Sequence, residues 1–177
     1  KLYAIRITAG IFLAAGILIL GYHPAGSLKV ICLDVGQGDG ILVETPEDHH
    51  FLIDGGSSSQ SDLGRYCLLP ALKSQGISWL DGIFISHTDQ DHINGVKELL
   101  EYMGKGLTTI RAGYLILPAW GERPDAWREL AETAKTAGVK VVTAEKGDEL
   151  PCGRVSFSVL WPEKNAAGKD VNEEAMV

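Results

Sequence analysis

From Leu28 onward, apolar residues fall in short runs broken by glycines, and farther along they spread to helical spacing. "LKVICLDV" and "GILVET" read as β-strands split by "GQGD", with "HHFLID" as a third. "LGRYCLLPALKSQG" has apolar residues at helical spacing and stops at Gly76, with Pro70 expected to bound or bend it. "DGIFIS" is a short buried strand, "VKELLEYMGKG" a helix ended by glycine, and "GYLILP" another strand. "PDAWRELAETAKTAG" is an amphipathic helix opened by proline and closed by glycine, followed by the strands "VKVVTA" and "RVSFSVLWP". Strands first, then strand–helix alternation, predict an α/β fold with a mixed sheet covered by helices.

The first 27 residues follow a different pattern. Ile7 to Tyr22 carries no charge, Lys1 and Arg6 precede it, and His23-Pro24 follows. A membrane-crossing helix needs ~20 apolar residues, which Leu2 to Tyr22 reaches if Arg6 snorkels to the interface. Residues 1–27 are therefore expected to be one transmembrane helix and a short linker, with residues 28–177 a single domain. The basic flank favours a cytoplasmic N-terminus, leaving the domain on the extracytoplasmic side of the cell membrane. A cleaved signal peptide and a buried core helix are the alternatives, and no Ala-x-Ala cleavage pattern stands near Pro24.

Charge narrows the function classes. The chain is −7 overall; Lys1 and Arg6 are basic and no acidic residue precedes Leu28, so residues 28–177 carry −9. A broad basic footprint for nucleic acid is absent, so contact with a polyanion has to be local or carried by cations. Cys32, Cys67 and Cys152 form no Cys-x-x-Cys spacing and read as buried free thiols, with one disulfide open to an extracytoplasmic domain. His49 and His50 fall in an expected hairpin loop and read as solvated.

The densest chemistry is "SHTDQDHING", where His87, Asp89, Asp91 and His92 fall within six consecutive positions after an apolar strand. Imidazole and carboxylate are ligands for hard to borderline divalent metals. A strand-to-helix loop would let His87 and Asp89 face one metal and Asp91 with His92 another, with Gly95 allowing close backbone approach and Asn94 capping the helix. Four groups do not fill two metal shells, so further ligands have to come from elsewhere. A capped helix start with solvated carboxylates is the plainer reading, and two His with two Asp in six residues are improbable for it.

"HTDQDH" resembles the His-x-His-x-Asp-His signature of the metallo-β-lactamase fold, with Asp89 where most members carry the second histidine. Together with "LDVGQGDGILVETP", "FLIDGG", "LLPALKSQGISWLDGIFISHTDQDHINGVKELL" and "VLWP", it resembles the hydrolase-like domain of the ComEC family of DNA-internalisation competence proteins, over roughly residues 28 to 172. The resemblance implies a metallo-β-lactamase-like αββα sandwich, of which this chain holds the first half, and a site with two divalent metal ions (Mn, Zn or Mg). It implies His87, Asp89, Asp91 and His92 as metal ligands and Asp91 also as the group orienting the attacking water. Asp54 would steady the ligands, with Gln37 and Asp39 near the site; Asp54-Gly55-Gly56 as a plain strand-ending turn and Asp39 as a turn cap are the alternatives.

A bridging Asp and two more histidines follow this stretch in the family, whereas this chain has no histidine after His92. "DVNEEAMV" resembles the start of the next family segment, with Ala175 where serine is usual. The metal shell is accordingly expected to be incomplete, and the 177 residues alone poorly active or inactive. The function implied is a metal-dependent nuclease degrading one strand of incoming DNA, with DNA, the membrane through residues 2–22 and other competence machinery as partners. A membrane-anchored hydrolase of a small ester or phosphodiester, and a non-catalytic module of the uptake machinery, are the alternatives.

Overall fold

The computed structural model describes residues 2–21, 26–163 and 175–177, and in the first helix the side chains of residues 6–17 only. "DVNEEAMV" therefore lies largely outside the described residues, as do Lys1 and His23-Pro24.

Six strands form one sheet in sequence order: β1 (Lys29–Cys32), β2 (Ile41–Glu44), β3 (His50–Ile53), β4 (Trp79–Phe84), β5 (Arg111–Pro118) and β6 (Lys140–Ala144). β1, β2 and β3 pair antiparallel, and β3 to β6 pair parallel. Three crossovers link the parallel strands: a π-helical turn (Gly64–Leu68) running into α2 (Leu69–Ser74), then α3 (Gln90–Gly104), then α4 (Asp125–Thr136). Right-handed crossovers that step across a sheet in one direction place their helices on one face. They also leave the carboxyl ends of β3, β4 and β5 on one edge, where ligand sites of open α/β sheets form.

The apolar periodicity accounts for the layers. Leu42, Leu52, Leu80, Ile83, Leu115 and Leu117 pack from the sheet against Leu68, Leu72, Val96, Leu99, Leu100, Trp127 and Leu130 of the helices. On the other face, Phe51, Phe84 and Ile116 meet Phe157 and Val159. Phe157 comes from a hairpin of β7 (Glu149–Cys152) and β8 (Val155–Ser158). Its ring meets Phe51 edge-on at 4.7 Å and Phe84 at 4.9 Å between centroids, a geometry that favours aromatic pairs.

Several expectations shift. Pro70, which lacks a donor, bounds α2 at its start as expected, and the turn before it is π-helical. Helix α3 begins at Gln90, so Asp91, His92 and Asn94 lie inside it and not in a loop. The strand β7, ending at Cys152, is absent from the sequence-based pattern. All three cysteines are free, but Cys32 is exposed and the other two half-buried, so none is the buried thiol expected. His49 lies in the β2–β3 loop as expected, its side chain 40% exposed with Nδ1 3.1 Å from Asp81 Oδ1. His50 is not a solvated loop residue: it opens β3 with its side chain only 15% exposed and its N–H donating to Asp81 Oδ2.

Helix α1 (Leu2–Gly21) matches the expected apolar segment, and its described side chains are exposed, Phe12 by 73%. Among the described residues no helix is long and apolar enough to cross a membrane.

Leu115, fully buried between sheet and helices, gives a test of this layering. Leu115→Ala should lower unfolding free energy by about 2–5 kcal/mol in chemical denaturation. Leu107→Ala, at a residue 65% exposed, should change it by no more than about 0.5 kcal/mol.

Candidate functional site

Asp54 directly follows β3 with φ 55°, left-handed backbone that aspartate tolerates better than most residues. Such a conformation at a residue only 4% exposed persists where its surroundings hold it. Its backbone N–H donates to Phe84 O (2.9 Å) and the next N–H, of Gly55, to His92 O (2.9 Å). The turn thus joins the end of β3 to the end of β4 and the first turn of α3.

The carboxylate then gathers the site. Ser86 N–H donates to Asp54 Oδ1 (2.8 Å), Ser86 Oγ to Oδ2 (2.6 Å), and His92 Nδ1 lies 2.9 Å from the same Oδ2. Ser86 Oγ is also 3.0 Å from His87 Nδ1, and the two imidazole centroids are 3.9 Å apart. Asp89 is the N-cap residue of α3, and its Oδ2 lies 3.6 Å from His87 Nε2. Asp39 Oδ2 is 3.7 Å from His92 Nδ1, while the Asp39 N–H donates to Asp91 O and its carbonyl accepts from Gly56 N–H. Gln37 is tied through its backbone to Ser58 and Ser59 on the loop after Asp54. Asp91, in the first turn of α3, acts on both histidines through its charge.

Two glycines let these backbones meet. A Cβ on Gly56 would overlap the backbone nitrogen of His92, and one on Gly95 would overlap Gly55 O. Close approach was the role expected of Gly95. Asn94 does not cap the helix: its Oδ1 accepts Ser57 N–H (2.9 Å) and its Nδ2 donates to Ser57 O (2.6 Å). That two-point clamp fixes the loop against α3.

The predicted residues are therefore brought to one edge, with Ser86 as an unforeseen hub. Among the described residues, however, no three His, Cys, Asp or Glu side chains stand close enough to hold a metal ion. The expected four-ligand set is drawn together without forming a finished cage. Its donor chemistry still fits a divalent cation. Each histidine has Nδ1 engaged by the protein, which leaves Nε2 for a ligand bond, the usual arrangement behind metal-bound imidazoles. The ion pairs recorded for Asp39, Asp54 and Asp89 are with these two histidines, so carboxylate charge stands in excess.

The two rings titrate in opposite directions. The hydrogen bond to Asp54 raises His92 above the ordinary imidazole value, with burial opposing it. Burial, and then the charge of neighbouring His92, lowers His87. Folding favours protonated His92, a contribution present below about pH 6.5 and lost as pH rises through its folded value. Folding disfavours protonated His87, a penalty that grows as pH falls below about 6.5. Metal-free NMR titration should place His87 below and His92 above that value, with Asp54→Asn removing the upward displacement of His92. Gly56→Ala should shift the His92 backbone amide resonance and destabilise the fold by more than about 1 kcal/mol in denaturation, because backbone has to move.

Comparison with known proteins places the chain in a family. The model of the Metallo-beta-lactamase superfamily matches residues 33–166. "ComE operon protein 3" of Bacillus subtilis (strain 168) is 31% identical over 177 residues, covering 92% of this chain. "Competence protein ComA" of Neisseria gonorrhoeae is 35% identical over 72 residues, 41% of this chain. The chain spans 22% and 10% of the lengths of these two relatives. Among solved structures, the metallo-beta-lactamase fold protein YhfI from Bacillus subtilis aligns with a TM-score of 0.46 at 23% identity, over 75% of this chain and 51% of that one. The chain belongs to the metallo-beta-lactamase superfamily, and its relatives include competence proteins.

Proposed function

We propose that this chain is the hydrolase domain of a membrane protein of DNA uptake, and that it degrades one strand of incoming DNA with two divalent cations. The observation that carries the reading is the histidine–carboxylate cluster at the carboxyl edge of β3 and β4, gathered by Asp54, in a chain 92% of which aligns with a competence protein. His87 and Asp89 would hold one cation, and Asp91 with His92 the other. Bound cations would supply Lewis acidity, lower the pKa of water and neutralise phosphodiester charge.

The protein residues have separate tasks. Asp91 orients the attacking water and takes its proton at a carboxylate oxygen. Asp54 keeps the His92 ring in place from behind, and Asp39 adds negative charge on the solvent side. At −7 the chain carries no broad basic footprint for phosphates, so attraction to DNA falls to the cations and to contacts beyond this domain. Metal choice follows the ligands: Asp89 in place of a histidine tilts the site toward oxygen donors, which suits Mn or Mg better than Zn. From the sequence, we read the apolar run from Leu2 to Tyr22, with one charge at Arg6, as the membrane anchor that leaves the domain on the extracytoplasmic side.

The test uses the full-length protein that carries this chain, with labelled single- and double-stranded DNA and Mn, Mg or Zn. Cutting should require metal and fall at least about 100-fold in Asp91→Asn, the scale of losing a positioned base. Metal binding without cutting of DNA would replace this reading with hydrolysis of a small ester. Neither binding nor cutting would leave a non-catalytic module.

A further inference from the structure

Ser86 has one hydroxyl hydrogen and three neighbours that constrain its use, the farthest being His92 Nδ1 at 3.4 Å. Its Oγ lies 2.6 Å from Asp54 Oδ2, and an ionised carboxylate only accepts, so the hydrogen goes to Asp54. The second contact, 3.0 Å to His87 Nδ1, then needs its hydrogen from the ring. His87 is thereby held as the Nδ1–H tautomer, with its lone pair on Nε2, the nitrogen 3.6 Å from Asp89. His92 reaches the same state by a different partner, since its Nδ1 lies 2.9 Å from Asp54 Oδ2. One carboxylate thus serves both rings, one directly and the other through a hydroxyl.

We infer that Ser86 is a positioning residue that selects the tautomer of His87, turning Nε2 of that ring into a ready ligand atom before any cation arrives. The word ligand rests on the function proposed above; the tautomer does not. The backbone of Ser86 is fixed at both ends, which gives the hydroxyl a definite place. Its N–H donates to Asp54 Oδ1, and its carbonyl accepts the Met176 N–H at 2.7 Å. Neither bond depends on the hydroxyl, so Ser86→Ala keeps the strand end while removing both the acceptor of the His87 Nδ1–H and the hydroxyl donor to Asp54 Oδ2. A threonine keeps that acceptor.

The experiment is long-range nitrogen–proton NMR of the ring nitrogens in metal-free protein, at a pH above the titration of both imidazoles. Wild type should show Nδ1–H on His87 and on His92. Ser86→Ala should move His87 toward the Nε2–H form that a free side chain prefers, leaving His92 as Nδ1–H through Asp54, and Ser86→Thr should restore the wild-type pattern. Calorimetric Mn binding should weaken about 10- to 100-fold in Ser86→Ala and recover in Ser86→Thr, as for other residues behind a ligating histidine. An Nδ1–H His87 that persists in Ser86→Ala, or an Nε2–H His87 in wild type, overturns the inference. Correct tautomers without Mn binding in wild type would overturn the metal reading and leave the tautomer assignment standing.

Discussion

The structure of this edge depends on one buried carboxylate. Asp54 is 4% exposed, sits in left-handed backbone, and spends its two oxygens on a backbone amide, a hydroxyl and an imidazole. An isolated carboxylate so buried would be costly. Three hydrogen-bond donors offset that cost, two from Ser86 just after the strand β4 and one from His92 in the helix α3. The bond set therefore works in two directions: it makes the burial of Asp54 tolerable, and it fixes the ends of two elements to a third. Remove the carboxylate and both histidines lose the group that orients them.

The remaining architecture serves to bring those elements to Asp54. Parallel strands with crossovers on one face put the ends of β3 and β4 side by side, and the leucine-rich layer below them holds that arrangement. Contacts between Gly56 and His92 and between Gly95 and Gly55 then close the last few ångströms, where any side chain would intervene. The result is an excess of negative charge facing solvent with two imidazoles among it. In a metallo-beta-lactamase superfamily member, such an excess is the electrostatic counterpart of a cation.

Much of this was legible in the sequence, for identifiable reasons. Strands β1 to β6 follow from short apolar runs with glycine breaks, and α4 from Pro124 and Gly138 at its ends. The metal-ligand candidates stand out because histidine and aspartate are rarely packed so densely, whereas Asp54 enters only through the resemblance of "FLIDGG" to the family. What was missed depends on long-range contacts. The start of α3 hid inside a polar stretch whose first turn is anchored by Gly55 and Ser57, more than 30 residues upstream. Ser86 resembled any serine after a strand, and the pairing of His49 with Asp81 spans 32 residues. β7 contains Pro151 and only four residues, too little pattern to register.

The central claim is that the cluster at the end of β4 holds divalent cations, and anomalous scattering from crystals of the full-length protein grown with Mn tests it most directly. The account predicts Mn peaks bonded to His87 Nε2 and to the carboxylates of Asp89 or Asp91, with Asp54 left out of the metal shell. Mn density only at other sites, or Asp54 itself as the ligand in place of His87 and His92, would contradict it.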